Sequence, residues 1–187
     1  MKNFHNILHV SQGVTDETGS LKQALSLARN NKAPLKVLVI CPDFPSDLPD
    51  HRTKFEQSLL EQATTSVNSA REAIKLEDGA VEISVELASG KRPPIRVIEE
   101  VLRNGHDLLV KEAETHDRGR GFKAFDMTLL RKCPCPVWLS RPINRSRDEI
   151  KVAVAIDPAD KEPEAEALSL RLLQLSRSLA DSCSGEL

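Results

Sequence analysis

The sequence predicts an α/β fold: an open, five-stranded parallel sheet with helices on both faces. From residue 4 to residue 140, short apolar runs alternate with longer segments in which apolar residues recur at helical spacing. The run Leu35–Ile40 is apolar at every position but one, a composition typical of a strand that is covered on both faces. Alternation of this kind favours a parallel sheet enclosed between two layers of helices.

The first half of this pattern contains two strands and two helices. Phe4–Val10 is a short apolar run that predicts strand one, and apolar residues at helical spacing predict a helix from Ser20 to about Asn31. Leu35–Ile40 is strand two. After a proline-rich loop, an amphipathic segment predicts a long helix from about Arg52 to Leu76.

The second half adds three strands and two helices. Val81–Leu87 alternates apolar and polar residues and predicts strand three. A helix is predicted over Ile95–Arg103, with Gly105 as its C-terminal cap. The remaining predicted elements are strand four at Asp107–Lys111, a helix through Leu129 and Leu130, and strand five at Val137–Ser140. Short, right-handed connections leave flavodoxin-like and Rossmann-like strand orders as the candidates.

A second unit is predicted after this domain. We place the first domain at residues 1–142 and a charged linker at 143–149. Ile150–Asp157 repeats the character of strand one, and Glu164–Cys183 carries a leucine stripe that predicts a helix. One strand and one helix cannot bury their own apolar surface, so we interpret 150–187 as the truncated start of a second repeat.

Three stretches resemble the universal stress protein family. They are NILHVS at 6–11, GKRPPIRVIEEVLRNGHDLLV at 90–110, and LLRKCPCPVWLSRP at 129–142. The last is similar to the family's C-terminal signature, and 90–110 is most similar to the first half of its tandem members. The resemblance implies a parallel sheet in the order 3-2-1-4-5.

The same resemblance raises ATP as a possible cofactor, because some members bind it through a Gly-x2-Gly-x9-Gly-Ser/Thr loop after strand four. Glycines let the backbone approach phosphates, and amides at a helix start donate to them. Here Glu112 and Thr115 stand at the first two glycine positions, and Lys123-Ala124 replaces Gly-Ser. Ser11 stands where an acidic residue usually follows strand one. The loop is therefore degenerate, and no cofactor is firmly predicted.

The carboxyl ends of strands one and four form the expected ligand-binding edge of such a sheet. We expect this edge to hold any small-molecule or nucleotide ligand. The loop after strand four contains basic residues that could bind an anion, although we favour the interpretation that this loop is simply solvated. The candidate pocket residues are Ser11, Ile40, Lys111 and Thr115 at the edge, and Arg118, Arg120 and Lys123 in the loop.

Composition excludes several classes of protein. The net charge of −2 and the 3% aromatic content argue against a nucleic-acid partner. No apolar run reaches the roughly 18 residues of a membrane span, and the N-terminus lacks a signal peptide pattern, so a cytoplasmic location is expected. We find no hydrolase, kinase or metalloprotease motif and predict neither catalytic residues nor a metal site. We interpret Cys133 and Cys135 as small apolar side chains beside strand five.

We therefore predict a non-enzymatic binding or regulatory module of the stress-response type. The alternative is an ATP- or nucleotide-binding domain that uses a non-standard loop. Strand five is expected at a sheet edge, where unpaired backbone groups invite another strand. We accordingly predict a homodimer formed through strand five or through residues 150–183.

Overall fold

Parallel strands alternate with helices along the first 140 residues of the chain. The computed structural model describes residues 3–13, 17–41, 43, 49–114, 123–141 and 151–183. The strands are β1 (Ile7–Ser11), β2 (Leu35–Cys41), β3 (Ile83–Ser89), β4 (Leu108–Glu112) and β5 (Val137–Ser140). The helices between them are α1 (Thr18–Asn31), α2 (Pro49–Ala73), α3 (Pro93–Asn104) and α4 (Ala124–Lys132). Each predicted element of this part of the chain is confirmed, with shifts of a few residues at its ends.

The five strands form one sheet in the order β3-β2-β1-β4-β5, with every pair parallel. Leu8 in the central strand lies opposite Lys36 of β2 and Leu109 of β4. The strand order implied by the family resemblance is confirmed. From β1 the chain adds β2 and β3 on one side of the sheet, and it then adds β4 and β5 on the other side. The direction in which strands are added therefore reverses between β1 and β4, and this pair is the switch point of the sheet.

Both faces of the sheet are covered, as the apolar composition of β2 predicted. The strand residues that are at most 2% exposed include Leu8, Val37, Val39, Leu108 and Leu109. On one face, Val97, Ile98 and Val101 of α3 and Leu129 of α4 pack against Leu8 and Leu109. The predicted core is confirmed.

Local signals explain where α3 begins and ends. Pro93 and Pro94 occupy its first positions, where a missing backbone N–H costs no helical hydrogen bond. Gly105 follows with φ of 66°, and its N–H donates to the carbonyl oxygen of Val101. The left-handed backbone at this position explains the predicted glycine cap.

The chain divides into two units, Lys2–Pro142 and Ile143–Leu187. In the second, α5 spans Pro163–Cys183, which confirms the predicted helix. The predicted strand at Ile150–Asp157 is wrong for the residues that the structure describes, since 152–157 belong to no helix or strand. A strand needs a ladder partner for its backbone groups. Its sequence pattern alone does not supply that partner.

Candidate functional site

The candidate site lies at the carboxyl ends of β1 and β4, where Val10 pairs with Lys111. A cavity of about 180 Å³ opens there. In a parallel sheet, loops diverge in opposite directions from the switch point and leave a crevice between them. The lining residues are Gln12, Glu17, Lys111, Glu112, Ala113, Glu114 and Lys123.

Lys111 is the central cation of this site. Its side chain is only 3% exposed, and its Nζ lies 2.9 Å from Oδ1 of Asp126, whose side chain is completely buried. The same ammonium donates a hydrogen bond of 2.9 Å to the carbonyl oxygen of Glu112. It also lies 5.0 Å from the centre of the Phe125 ring, within the range of a cation–π interaction. The ammonium is therefore compensated by groups of its own chain.

Asp126 belongs to the first turn of α4, which begins at Ala124. Its second oxygen, Oδ2, accepts a hydrogen bond of 2.9 Å from the backbone N–H of Glu114. The positive end of a helix dipole favours a negative charge in the first turn. The structure thus places an internal carboxylate beside the helix start at which related sequences would bind phosphate.

Glu17 brings a second carboxyl group to the opposite wall. It precedes α1, is 5% exposed, and accepts a hydrogen bond of 2.8 Å from the backbone N–H of Gln12. Burial raises the pKa of Glu17, although hydrogen bonds from Ser11 and Gln12 and the charge of Lys111 oppose the rise. Its carboxyl group therefore stands next to Ser11, the position at which the resemblance expects an acid.

Gln12 and Glu114 connect the two sides of the cavity. The side-chain amide of Gln12 donates a hydrogen bond of 2.8 Å to Oε1 of Glu114. The lining contains three carboxyl groups, from Glu17, Glu112 and Glu114, against the two ammonium groups of Lys111 and Lys123. Among the described lining residues, acidic side chains therefore outnumber basic ones by three to two.

The structure brings some of the predicted pocket residues together. Lys111 and Lys123 line the cavity, and Lys123 is the residue that caps the start of α4. Ser11 is buried, and its hydroxyl accepts a hydrogen bond from the N–H of Gly13. Ile40 is not among the lining residues and packs instead in the apolar cluster with Val97 and Leu129. Thr115, Arg118 and Arg120 lie outside the described residues.

Sequence reasoning missed Gln12, Glu17, Glu114 and Asp126 as site residues. Two of them carried a usable signal. Glu17 directly precedes α1, and Asp126 lies in the first turn of α4. Acidic residues at such positions interact with the helix start, and both helices begin at the carboxyl edge of the sheet.

A serine–histidine contact beneath the site does not form a nucleophile. Nε2 of His9 lies 2.9 Å from Oγ of Ser20, but the two residues are 0% and 1% exposed. The Ser20 hydroxyl donates to the carbonyl oxygen of Glu17. Burial, followed by the charge of Lys111, lowers the pKa of His9 to about 3, so this imidazole is neutral and a weak base. The contact is structural.

A separate charged cluster lies at the opposite edge of the sheet. Nζ of Lys36 is 2.6 Å from Glu86 and 2.7 Å from Glu100, and Nε2 of His106 is 3.7 Å from the same Glu100 carboxylate. Burial lowers the pKa of His106. Within the described ranges, no group of three or more histidine, cysteine or acidic side chains is arranged to hold a metal ion.

The parts of the chain that the structure describes contain no helix with both the length and the apolar character needed to cross a bilayer.

Comparison with known proteins finds relatives that share one description. The chain is 32% identical over 190 residues to universal stress protein E of Salmonella typhi, and 30% identical over 188 residues to universal stress protein E of Escherichia coli K12. Each match covers 97% of this chain but only 59% and 58% of the relative, so the chain spans about three fifths of their length.

Solved structures share the fold. A protein from Pseudomonas aeruginosa UCBPP-PA14, described as a universal stress protein, superposes with a TM-score of 0.72 at 21% identity, covering 100% of this chain and 60% of that one. A universal stress protein in complex with cAMP superposes with a TM-score of 0.52 at 16% identity, covering 75% of this chain and 98% of that one. The model of the universal stress protein family matches residues 3–141, which contain the whole five-stranded sheet. The chain therefore belongs to the universal stress protein family.

Proposed function

We propose that this chain is a non-enzymatic binding or regulatory module of the stress response, in which an internal ion pair fills the position of a nucleotide phosphate. The observation that carries the proposal is the buried contact of 2.9 Å between Lys111 and Asp126 at the start of α4. A phosphate entering here would have to displace a carboxylate that is already hydrogen-bonded and charge-paired.

The electrostatics of the lining support this proposal. Three carboxyl groups face the cavity, whereas a triphosphate requires compensating cations or free amide donors. The N–H of Glu114, a donor close to the start of α4, is taken by Asp126. Lys123 remains as the lining cation with no ion pair among the described residues.

The volume of the cavity also argues against a nucleotide ligand. Its volume of about 180 Å³ is below the range of roughly 300–1,000 Å³ that is usual for small-molecule sites. The bridge between Gln12 and Glu114 would also have to open to admit a nucleoside. We infer that this cavity serves a small polar ligand or water rather than a nucleotide.

A second candidate function is nucleotide binding through a non-standard loop. The position of Lys123 at the cavity and at the start of α4 favours it. The cAMP complex of a structural neighbour shows that this fold can hold an adenine nucleotide in another protein. In this alternative Lys123 is the main phosphate contact.

Titration of the full chain with nucleotides separates the two candidates. Thermal unfolding would be followed with ATP–Mg²⁺, ADP and cAMP at millimolar concentration. A ligand at 100 times its Kd stabilises a protein by about 2.7 kcal/mol, so binding would raise the unfolding temperature visibly. The first proposal expects no shift. A shift that disappears in Lys123→Ala but persists in the exposed control Lys91→Ala would establish the alternative.

We further propose that the chain assembles as a homodimer in the cytoplasm. β5 lies at the edge of the sheet, where it offers unpaired backbone groups. In the second unit, Leu168, Leu170 and Leu173 of α5 are 38–62% exposed. Apolar surface of this kind favours association.

We interpret residues 150–187 as the start of a second repeat, in keeping with the greater length of the curated relatives. The thiols of Cys133 and Cys135 are free, which favours a reducing compartment.

A further inference from the structure

Two cysteines at the far end of α4 are in direct sulfur contact. Cys133 caps the C-terminal end of α4, and Cys135 follows after a single proline, just before β5. Their Sγ atoms lie 3.5 Å apart, and both thiols are free. Both side chains pack against the core cluster and keep part of their surface in solvent. Packing explains their burial, but it does not require the two sulfurs to face each other.

The surroundings make the two thiols unequal. The hydrogen bond with Cys135 lowers the pKa of Cys133 to about 7, against the opposing effect of burial. The same contact raises the pKa of Cys135, and burial and the charges of Cys133 and Asp107 add to that rise. Near neutral pH Cys133 is therefore partly ionised to the thiolate, which is the reactive form of cysteine, beside a thiol that can donate a proton.

We propose that Cys133 and Cys135 form a redox-active dithiol site that is oxidised to an intramolecular disulfide by low-molecular-weight disulfides. The site lies at the opposite end of α4 from the Lys111–Asp126 pair, so it is independent of the function proposed for the cavity. A helix of nine residues places the two ends about 13 Å apart along its axis.

The reaction proceeds by two thiol–disulfide exchanges. The Cys133 thiolate attacks one sulfur of the external disulfide RSSR, which forms a mixed disulfide and releases RS⁻ to take up a proton. Cys135 then loses its proton and attacks Sγ of Cys133, which releases the second RS⁻. In sum, two protein thiols are oxidised, one RSSR is reduced, and two RSH are formed.

The local chain geometry makes closure reversible. Sulfurs at 3.5 Å must approach to about 2.05 Å, which requires rotation of the side chains and a small shift of the backbone around Pro134. A disulfide between residues two apart closes a small ring and stores strain. Strained, accessible disulfides are the ones that are easily reduced again, and such bonds serve as regulatory rather than structural links.

Peptide mapping on the unmodified chain tests the proposal. The reduced protein is incubated anaerobically with oxidised glutathione, its remaining thiols are alkylated after unfolding, and its peptides are identified by mass spectrometry. The expected product links Cys133 to Cys135 with the loss of two hydrogens, while Cys41, which is buried and has a raised pKa, is still alkylated. Alkylation of both Cys133 and Cys135, or a mixed disulfide that accumulates without closing, overturns the proposal.

Matched variants identify the attacking sulfur. In Cys135→Ser we expect glutathione to remain attached to Cys133, because the resolving thiol is missing. In Cys133→Ser we expect glutathione to attach more slowly at pH 7, because burial and the charge of Asp107 still raise the pKa of Cys135 when the Cys133 thiol is gone. Equal rates in the two variants would contradict the assigned roles. The fluorescence of Trp138, the chain's single tryptophan, verifies that each variant is folded.

Discussion

Lys111 and Asp126 form a buried ion pair that joins the end of β4 to the first turn of α4, with Nζ and Oδ1 2.9 Å apart. The two residues are the main electrostatic link between these elements at the switch point of the sheet. The pair is not a surface salt bridge, because both side chains are buried. Asp126 also accepts a hydrogen bond from the N–H of Glu114. Its energetic role can be measured directly.

We predict that Lys111→Met and Asp126→Asn each lower the free energy of unfolding by about 3–5 kcal/mol, because each leaves one buried polar group uncompensated. The double variant should lose clearly less than the sum of the two single losses. Urea unfolding followed by Trp138 fluorescence gives the three values.

The exposed pair Arg96–Glu99, with side chains 45% and 46% exposed, is the matched control. A double-mutant cycle there should show a coupling of about 0.2–1 kcal/mol. If the coupling between Lys111 and Asp126 were no larger than that, the pair would be a minor feature of the site.

Buried His9 predicts a loss of stability in mild acid. Its pKa is about 3 in the folded protein and 6.5 in the reference state. Below pH 6.5 the unfolded chain takes up a proton that the folded protein does not, so this part of the stability is present above pH 6.5 and lost as the pH falls toward 3. The slope is about 1.4 kcal/mol per pH unit, or roughly 2 kcal/mol between pH 6.5 and 5.

The variant His9→Gln should therefore be less sensitive to this change of pH than the natural chain by about 2 kcal/mol. Urea midpoints at pH 7.5 and pH 5 measure the difference. Parallel pH profiles for His9→Gln and the natural chain would show that His9 is not the titrating group.

The central position of β4 predicts a large packing effect. Leu109 has 0% exposure between β1 and β5, so Leu109→Ala should cost about 2–5 kcal/mol of unfolding free energy. Leu102 of α3 is 66% exposed, and Leu102→Ala should change stability by less than about 0.5 kcal/mol. Chemical denaturation of both variants provides the comparison; a loss below about 1 kcal/mol for Leu109→Ala would mark β4 as peripheral.

The proposed homodimer predicts a concentration-dependent mass. Light scattering on the full chain should give a dimer at micromolar concentration, through β5 or through residues 150–183. A chain that ends at Pro142 distinguishes these two surfaces: it stays dimeric if β5 is responsible and becomes monomeric if the second unit is. Monomers in both samples at about 100 µM, roughly 100-fold above a micromolar Kd, would refute the dimer.

Elements that are specified by neighbouring residues were predictable from the sequence. β2 is marked by its apolar run, and the end of α3 by Gly105, whose backbone is left-handed. In contrast, 152–157 has the composition of a strand but belongs to no strand in the described structure. Strand formation depends on a partner elsewhere in the chain, which local composition does not encode.

The position of the candidate site was predictable from the sequence, but the contacts between its side chains were not. The switch point follows from strand order, and this placed Lys111 correctly at the cavity. The pairing of Lys111 with Asp126 could not be predicted, because it depends on where α4 begins and how its first turn faces β4. The contact between Cys133 and Cys135 likewise depends on the side-chain rotamers on either side of Pro134. The sequence does not specify these rotamers, so it indicated only two small apolar side chains.

The carboxylate of Asp126 is tethered to the helix start that it occupies, so its local concentration is fixed by the covalent chain. A diffusible anion at such a position is bound or released as its cellular level rises and falls. An anion that belongs to the polypeptide is always present. Under the proposed function, the conformation around α4 therefore does not depend on the cellular level of adenine nucleotides, and starvation leaves the surface of this domain unchanged.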